Sequence, residues 1–280
     1  MEIGKHILKV KLVDMNKTRF VRVRTKNYTA ESLRKSIETD SKVVVRLGSR
    51  TPVESIFIKN PRNVIEINTT EAVENSRDKL KMKACFQRLS IPQAEHLSMS
   101  EALEKELEMT DFPYVGKAVV GFKGHGMRLL NNSEELRNFI HSNNSGFFIE
   151  KFYNYAREYR LHVAKDIGVF MSWRKLRTAD TTERWFFNST NSNWISPEHE
   201  LFDRPSCWKK MEKAAIDALE STGLDIGAVD IRVQSNSKKD PKFIVCEINS
   251  APALGEQGVQ IYRNTIKQLI NLKKHEISNM

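Results

Sequence analysis

Apolar residues recur with a period of two in several short runs of the chain and with a helical period in the stretches between them, so strands and helices interleave. Residues 7–13 and 20–25 flank the polar turn Asp14-Met15-Asn16-Lys17 and predict a hairpin. Thr29 is placed to cap a short helix through Ser36, residues 42–47 (Lys-Val-Val-Val-Arg-Leu) predict a buried strand, Gly48-Ser49-Arg50-Thr51-Pro52 a loop, and residues 64–68 a further strand. The first 72 residues therefore read as a small α/β unit.

Residues 70–89 predict a helix with capping residues at its start, and Ile91-Pro92 marks its exit into extended chain. A second helix over 98–109 precedes a strand over 112–120, the glycine-rich turn Gly121-Phe122-Lys123-Gly124-His125-Gly126, a short strand over 127–130 and a helix over 133–140. The runs 147–152, 158–164 and 169–174 alternate and follow one another closely, which predicts an antiparallel sheet. Residues 178–206 are polar and aromatic without period and predict a long loop of the kind that often carries function. A helix over 207–221 ends at Gly223, and two last strands contain 227–231 and 245–249, with an exposed loop at 235–240 between them.

The last two strands carry the most informative chemistry. Side chains at i and i+2 of a strand share a face, so Glu247 and Asn249 point the same way, and Asp230 stands on the neighbouring run. Two acids and an amide oxygen on rigid backbone suit Mg²⁺, which takes a few carboxylates and keeps positions for phosphate oxygens. An exposed hairpin with ordinary polar alternation would read the same way.

Upstream, Gly121, Gly124 and Gly126 leave backbone N–H groups free to approach a polyanion, although the segment lacks the Gly-Lys-Ser/Thr ending of a P-loop and a plain hairpin turn fits it as well. Lys117 on the preceding strand and Lys151 beside Glu150 on a later one are point charges suited to phosphate, or ordinary surface lysines. Glu158 and Arg160 share a face, as do Arg174 and Leu176. A carboxylate on ribose hydroxyls and a guanidinium on phosphate is one use for such a set, a cross-strand ion pair another. No Ser/His/Asp or Cys/His arrangement stands out. Trp185, Phe186, Phe187 and Trp194 could stack bases or pack inward.

Composition changes this picture little. The 280 residues allow two domains, and 40% hydrophobic with 29% charged residues is a globular balance. The opening Met1-Glu2-Ile3-Gly4-Lys5 has no secretory apolar stretch, and Cys85, Cys207 and Cys246 are too scattered for a disulfide or zinc framework, so an intracellular, cytoplasmic setting is expected. The net charge of +10 raises a polyanion partner, but the basic residues are spread along the chain.

The order of these parts resembles the ATP-grasp superfamily over about residues 75–270, and is similar above all to ribosomal-protein glutamate ligases and phage-encoded relatives. The resemblance rests on Asn75-Ser76-Arg77-Asp78-Lys79 with Leu89-Ser90-Ile91-Pro92, on Phe112-Pro113-Tyr114-Val115-Gly116-Lys117, on the glycine turn, on Ile149-Glu150-Lys151-Phe152, and on 224–230 with 246–254. It implies an α+β ATP-grasp fold, two α+β subdomains (73–145 and 146–280) clasping ATP, behind an N-terminal α/β pre-ATP-grasp domain (1–72). It implies an ADP-forming carboxylate–amine ligase that works through an acyl phosphate with ATP and Mg²⁺, or Mn²⁺ in its place. In that reading Asp230, Glu247 and Asn249 hold the metal. Lys117, Lys123, Gly124, Gly126, Glu150, Lys151, Phe152 and Glu158 bind ATP, and Arg160 and Arg174 serve the acyl phosphate. The partners are a carboxylate and an amine or other nucleophile, an acidic peptide or protein among the candidates, with a virus-infected host cell among the settings. Ala118 and Ala228 depart from the family pattern, the latter where many relatives carry an arginine. The competing reading is a nucleic-acid or polyanion module built on the basic surface and the aromatic loop 185–194.

Overall fold

The computed structural model describes residues 19–21, 33, 37, 39, 41–57, 62–121, 126–143, 145–178, 185–187, 191–234 and 239–278. The hairpin expected around 14–17 and most of the helix expected over 29–36 lie outside them. Near the N-terminus, β1 (Arg19–Val21), β2 (Lys42–Arg46) and β3 (Val64–Ile67) form a parallel sheet in that order, with the single-turn α1 (Val53–Ile56) between the last two. The strands expected over 42–47 and 64–68 are β2 and β3.

The helix expected over 70–89 is two helices. Asp78 leaves helical geometry (ψ 112°) and its carboxylate accepts from the Leu80 and Lys81 N–H groups at 3.0 Å, so it ends α2 (Thr70–Arg77) and caps α3 (Lys79–Arg88). A four-stranded antiparallel sheet follows, ordered β4-β7-β5-β6, from β4 (His96–Ser98), β5 (Tyr114–Ala118), β6 (Arg128–Leu130) and β7 (Phe147–Lys151). It packs on α4 (Met99–Glu104), shorter than the expected 98–109, and on α5 (Ser133–Ser142), through Met99, Leu130, Leu136, Phe139 and Ile149.

The largest sheet is antiparallel, ordered β10-β9-β8-β11-β12, from β8 (Arg157–Ala164), β9 (Gly168–Arg177), β10 (Ser192–Ile195), β11 (Ile226–Val233) and β12 (Phe243–Asn249). One face is apolar: Tyr159, Leu161, Val229, Ile231 and Val245 pack against Met211, Ala215 and Leu219 of α6 (Trp208–Thr222) and Met82 and Phe86 of α3. The helix α6 stops at Gly223 in the left-handed region (φ +77°), as its glycine predicts. β10 was not expected, because it lies inside the unperiodic 178–206.

The opposite face is divided lengthwise. At one end it is covered by α7 (Glu256–Ser278), a helix the sequence reading did not identify, whose Tyr262, Ile266, Leu269 and Ile270 pack with Val43, Val45 and Ile67 of the parallel sheet and with Ile226. The other end carries charges. Among the described residues no helix is long and apolar enough to cross a membrane.

Asn68 ties the parallel sheet to the large one. Its side chain donates to the Arg46 and Ile226 carbonyls at 3.0 and 2.9 Å and accepts from the Asp225 and Ile226 N–H groups at 2.8 and 3.0 Å. Its own N–H donates to Asp225 Oδ2 at 2.7 Å, and Lys273 of α7 pairs with Asp225 Oδ1 at 2.7 Å. Nearby, Gly48 (φ +77°) brings the loop after β2 against the turn after β12, where an added Cβ would stand 2.9 Å from Ala251 Cβ. Asn68→Ala strands several buried backbone groups at once, so urea denaturation is expected to show a loss of about 2–4 kcal/mol. A variant as stable as wild type would mean that this junction does not hold the two sheets together.

Candidate active site

Strand register assembles the charged end of the large sheet. Asp230 pairs with Glu247 on β12 and with Arg160 on β8, and Arg160 pairs with Trp173 on β9, so Glu247, Asp230, Arg160 and Trp173 form one cross-strand row on one face. In the next row Arg232 pairs with Glu158, whose carboxylate accepts from Arg232 Nε at 3.0 Å and from Lys175 Nζ. Lys175 in turn pairs with Trp194 of β10. Ala228 stands between Asn249 and His162 in a third row.

The three expected metal ligands come together. Asn249 Nδ2 lies 3.2 Å from Glu247 Oε1 and 3.5 Å from Asp230 Oδ2. Arg160 grips Asp230 through both oxygens, Nε to Oδ1 at 2.7 Å and Nη2 to Oδ2 at 2.8 Å, and its guanidinium stacks on Trp194 at 4.6 Å. Burial by itself would raise the Glu247 carboxyl, but Lys79, the Asn249 amide, Arg160 and Lys175 outweigh it and hold it below the usual carboxylate value. Desolvation disfavours the Arg160 charge, and Asp230, Glu247 and Glu158 more than restore it, so its pKa is raised. Among the described residues no group of three or more His, Cys, Asp or Glu side chains is arranged around a metal position, so the donor set is two carboxylates and one amide. That set fits a divalent cation once the Asn249 amide is turned to present its oxygen.

The second half of the site comes from the four-stranded sheet. Lys117 on β5 and Glu150 on β7 share a face and form a buried ion pair, and Lys83 from α3 approaches the other Glu150 oxygen at 2.6 Å. Burial would raise the Glu150 carboxyl, yet the two ammonium groups hold it down to about 2. Burial lowers the Lys117 ammonium, partly offset by Glu150, with Arg232 and Lys83 adding to the fall. Arg232 and Cys246 belong to the large sheet, so its charged face lies within electrostatic reach of Lys117 on the four-stranded sheet. Cys246 sits at the register shift of β12, its thiol pushed up to about 12 by burial.

Several expected residues stand elsewhere. Arg174 pairs with Tyr159, which faces the apolar core, so it lies on the reverse of the sheet from Arg160 and binds the Leu201 carbonyl and Asp203 (2.6 Å). Lys175, one residue on, occupies the charged face instead. Lys151 points away from Glu150 and Lys117, pairing with Asp111 at 2.7 Å over the Tyr114 ring. The Phe152 N–H donates to the Pro113 carbonyl at 3.1 Å and is engaged within the fold. Lys123 and Gly124 lie outside the described residues, whereas Gly126 is seen at φ +76° beside Phe147. The loop aromatics pack on the protein: Trp185 on Phe186 at 4.4 Å, Phe187 against Tyr155 and Arg177, Trp194 against Trp173. Lys83, Lys175 and Arg232 were missed. Lys83 had a signal in its i, i+4 spacing from Lys79 on a helix.

No protein-family model matches the chain, and no curated protein matches it. Solved structures do match its fold. A carboxyaminoimidazole ribonucleotide synthase from Aspergillus clavatus complexed with ATP is similar at TM-score 0.55 and 16% identity, over 80% of this chain and 56% of that one. A biotin carboxylase–β,γ-ATP complex from Campylobacter jejuni gives 0.59 and 19%, over 81% and 54%. A D-alanine–D-alanine ligase from Bacillus anthracis gives 0.61 and 17%, over 90% and 87%. The chain spans about half the length of the first two. The fold they share with it is the α+β ATP-grasp fold expected from the sequence.

Glu150 separates two buried ammonium groups, so Glu150→Ala is expected to destabilise the protein by about 3–5 kcal/mol in urea, and Glu150→Gln by less. Because the folded carboxyl is depressed, its contribution is complete above its unfolded value of 4.5 and fades as pH falls toward about 2. The wild type should therefore lose stability across that window more steeply than Glu150→Gln. Parallel pH curves for the two would show that the trio is not coupled as described.

Proposed function

We propose that this chain is an ATP-dependent carboxylate–amine ligase that passes through an acyl phosphate. The observation that carries the reading is the pair of adjacent cross-strand rows of the large sheet, where oxygen donors Asp230, Glu247 and Asn249 stand with Arg160, beside the buried Glu150 carboxylate held by Lys117 of β5 and Lys83 of α3. In the reaction a substrate carboxylate oxygen attacks the γ-phosphorus of ATP, the bond from that phosphorus to the ADP oxygen breaks, and an amine then displaces phosphate from the acyl carbon and loses a proton. Asp230, Glu247 and Asn249 would hold Mg²⁺ or Mn²⁺, which would supply positive charge against that building on the phosphate oxygens.

The chain's own side chains divide the remaining work. Lys117 and Lys83 hold phosphate oxygens once they release Glu150. Glu158, held between Lys175 and Arg232, accepts from ribose hydroxyls in this reading. Arg160, in the same cross-strand row as Asp230, meets the charge developing on the transferred phosphoryl group, with Lys175 nearby where Arg174 was expected. An acidic peptide or protein is among the carboxylate substrates this basic chain suits, and a cytoplasmic setting belongs to the same proposal. The inward packing of the loop aromatics gives the polyanion-binding alternative no support.

Saturating Mg·ATP is expected to raise the melting temperature by several degrees, since occupancy at about 100 times Kd adds roughly 2.7 kcal/mol. EDTA, Glu247→Ala or Asp230→Ala should remove the shift while leaving a cooperative melt. An unchanged melting curve for well-folded wild type in Mg·ATP would overturn the proposal.

A further inference from the structure

β10 is four residues long and pairs with the last four positions of β9. Its register sets Trp194 opposite Lys175, on the face of the sheet that carries Glu158 and Arg232. From there the indole leans across to the neighbouring row. The Arg160 guanidinium carbon lies 4.6 Å from the ring centroid, Lys175 Nζ 4.8 Å from it, and the Trp173 ring 6.1 Å. One half-buried ring thus meets two cations. Arg160 is gripped along one edge by Asp230, which takes Nε and Nη2. Among the described residues no group accepts from its Nη1, and 12% of the side chain's surface stays open.

We propose that Trp194 is a positioning residue for phosphoryl transfer: it sets the plane of the Arg160 guanidinium so that Nη1 is presented to the γ-phosphate of ATP. The proposal rests on the ligase reading, which gives Arg160 its task and Trp194 none. Three observations lead to it. A guanidinium presents its N–H donors in one plane, and a carboxylate that grips it along one edge leaves that plane free to hinge. An indole on its face removes this freedom and consumes no donor, which a further hydrogen-bonding side chain would do. The indole is itself buttressed, because Trp173 stands opposite Arg160 on β9 and packs against Trp194. Lys175, the second cation on the ring, is tied to Glu158, so the stack joins the row of the phosphoryl site to the row of the ribose carboxylate. A stack that served the fold alone would matter equally with either nucleotide bound. A stack that aims Nη1 matters only where a γ-phosphate is present.

The test measures binding of Mg·ATP and of Mg·ADP to the intact chain by calorimetry, for wild type, Trp194→Phe, Trp194→Leu, Arg160→Lys and the double variant Arg160→Lys with Trp194→Leu. Trp194→Leu keeps an apolar side chain and loses the π face. It should bind Mg·ATP about tenfold more weakly while Mg·ADP stays within about twofold. Trp194→Phe, with a smaller ring, should fall between. Arg160→Lys keeps a charge beside Asp230 without a planar stack, so adding Trp194→Leu to it should weaken Mg·ATP by no more than about twofold further. Equal losses for the two nucleotides, no loss in Trp194→Leu, or losses that multiply in the double variant would each overturn the proposal. If Trp194→Leu does not fold, Trp194→Phe decides: a lower ATP-to-ADP preference supports the positioning role, and an unchanged one removes it. Wild type that binds neither nucleotide removes the ligase reading and this role with it. Wild type that binds Mg·ATP, with a preference over Mg·ADP that the Trp194 variants leave intact, removes the positioning role alone.

Discussion

The pairing register of β8, β11 and β12 is the constraint on which the rest of the molecule depends. Because Asp230 lies opposite both Glu247 and Arg160, one row of the sheet holds two acids and a guanidinium in contact, and the row beside it holds Glu158 between two cations. A slip of one residue would turn every one of these side chains into the core against α6, and would turn Tyr159, Val229 and Ile231 out to the cleft. The apolar face therefore fixes the register, and the fixed register builds the site. Packing and chemistry are two outcomes of one alternation.

The apolar core also decides how much of that face is open. α7 and the parallel sheet cover the end that holds His162, where Tyr262 meets the imidazole at 2.7 Å, and they stop short of Arg160. The Asn68 junction and the Lys273–Asp225 pair anchor this cover at the start of β11. Chain from both ends of the sequence thus converges on the strand that carries Asp230, which sets the boundary between buried apolar sheet and charged cleft.

Legibility in the sequence followed local period. The Asp230, Glu247 and Asn249 set was readable because two short strands with clean alternation carry it, and β2, β3, β5 and α6 were readable for the same reason. Faces were misjudged where a strand's apolar period is masked by charge. In Trp173-Arg174-Lys175-Leu176-Arg177 basic residues fall on both faces, so only tertiary pairing tells Arg174 from Lys175. Glu150 and Lys151 pose the same problem on β7, and the observed partner of Glu150, Lys83, is remote in sequence on a helix. β10 is too short to show a period, and Asp78 breaks a helix whose two halves together read as one. The α7 pattern at Val259, Tyr262, Ile266 and Leu269–Ile270 is present in the sequence at helical spacing.

The bidentate grip of Arg160 on Asp230 has a bearing on how the resting molecule keeps its shape. The guanidinium gives the buried carboxylate a permanent positive neighbour, supplied by the adjacent strand of the same sheet. Folding of this corner of the sheet therefore needs no outside counter-ion, because the strand that buries the acid is paired with the strand that neutralises it.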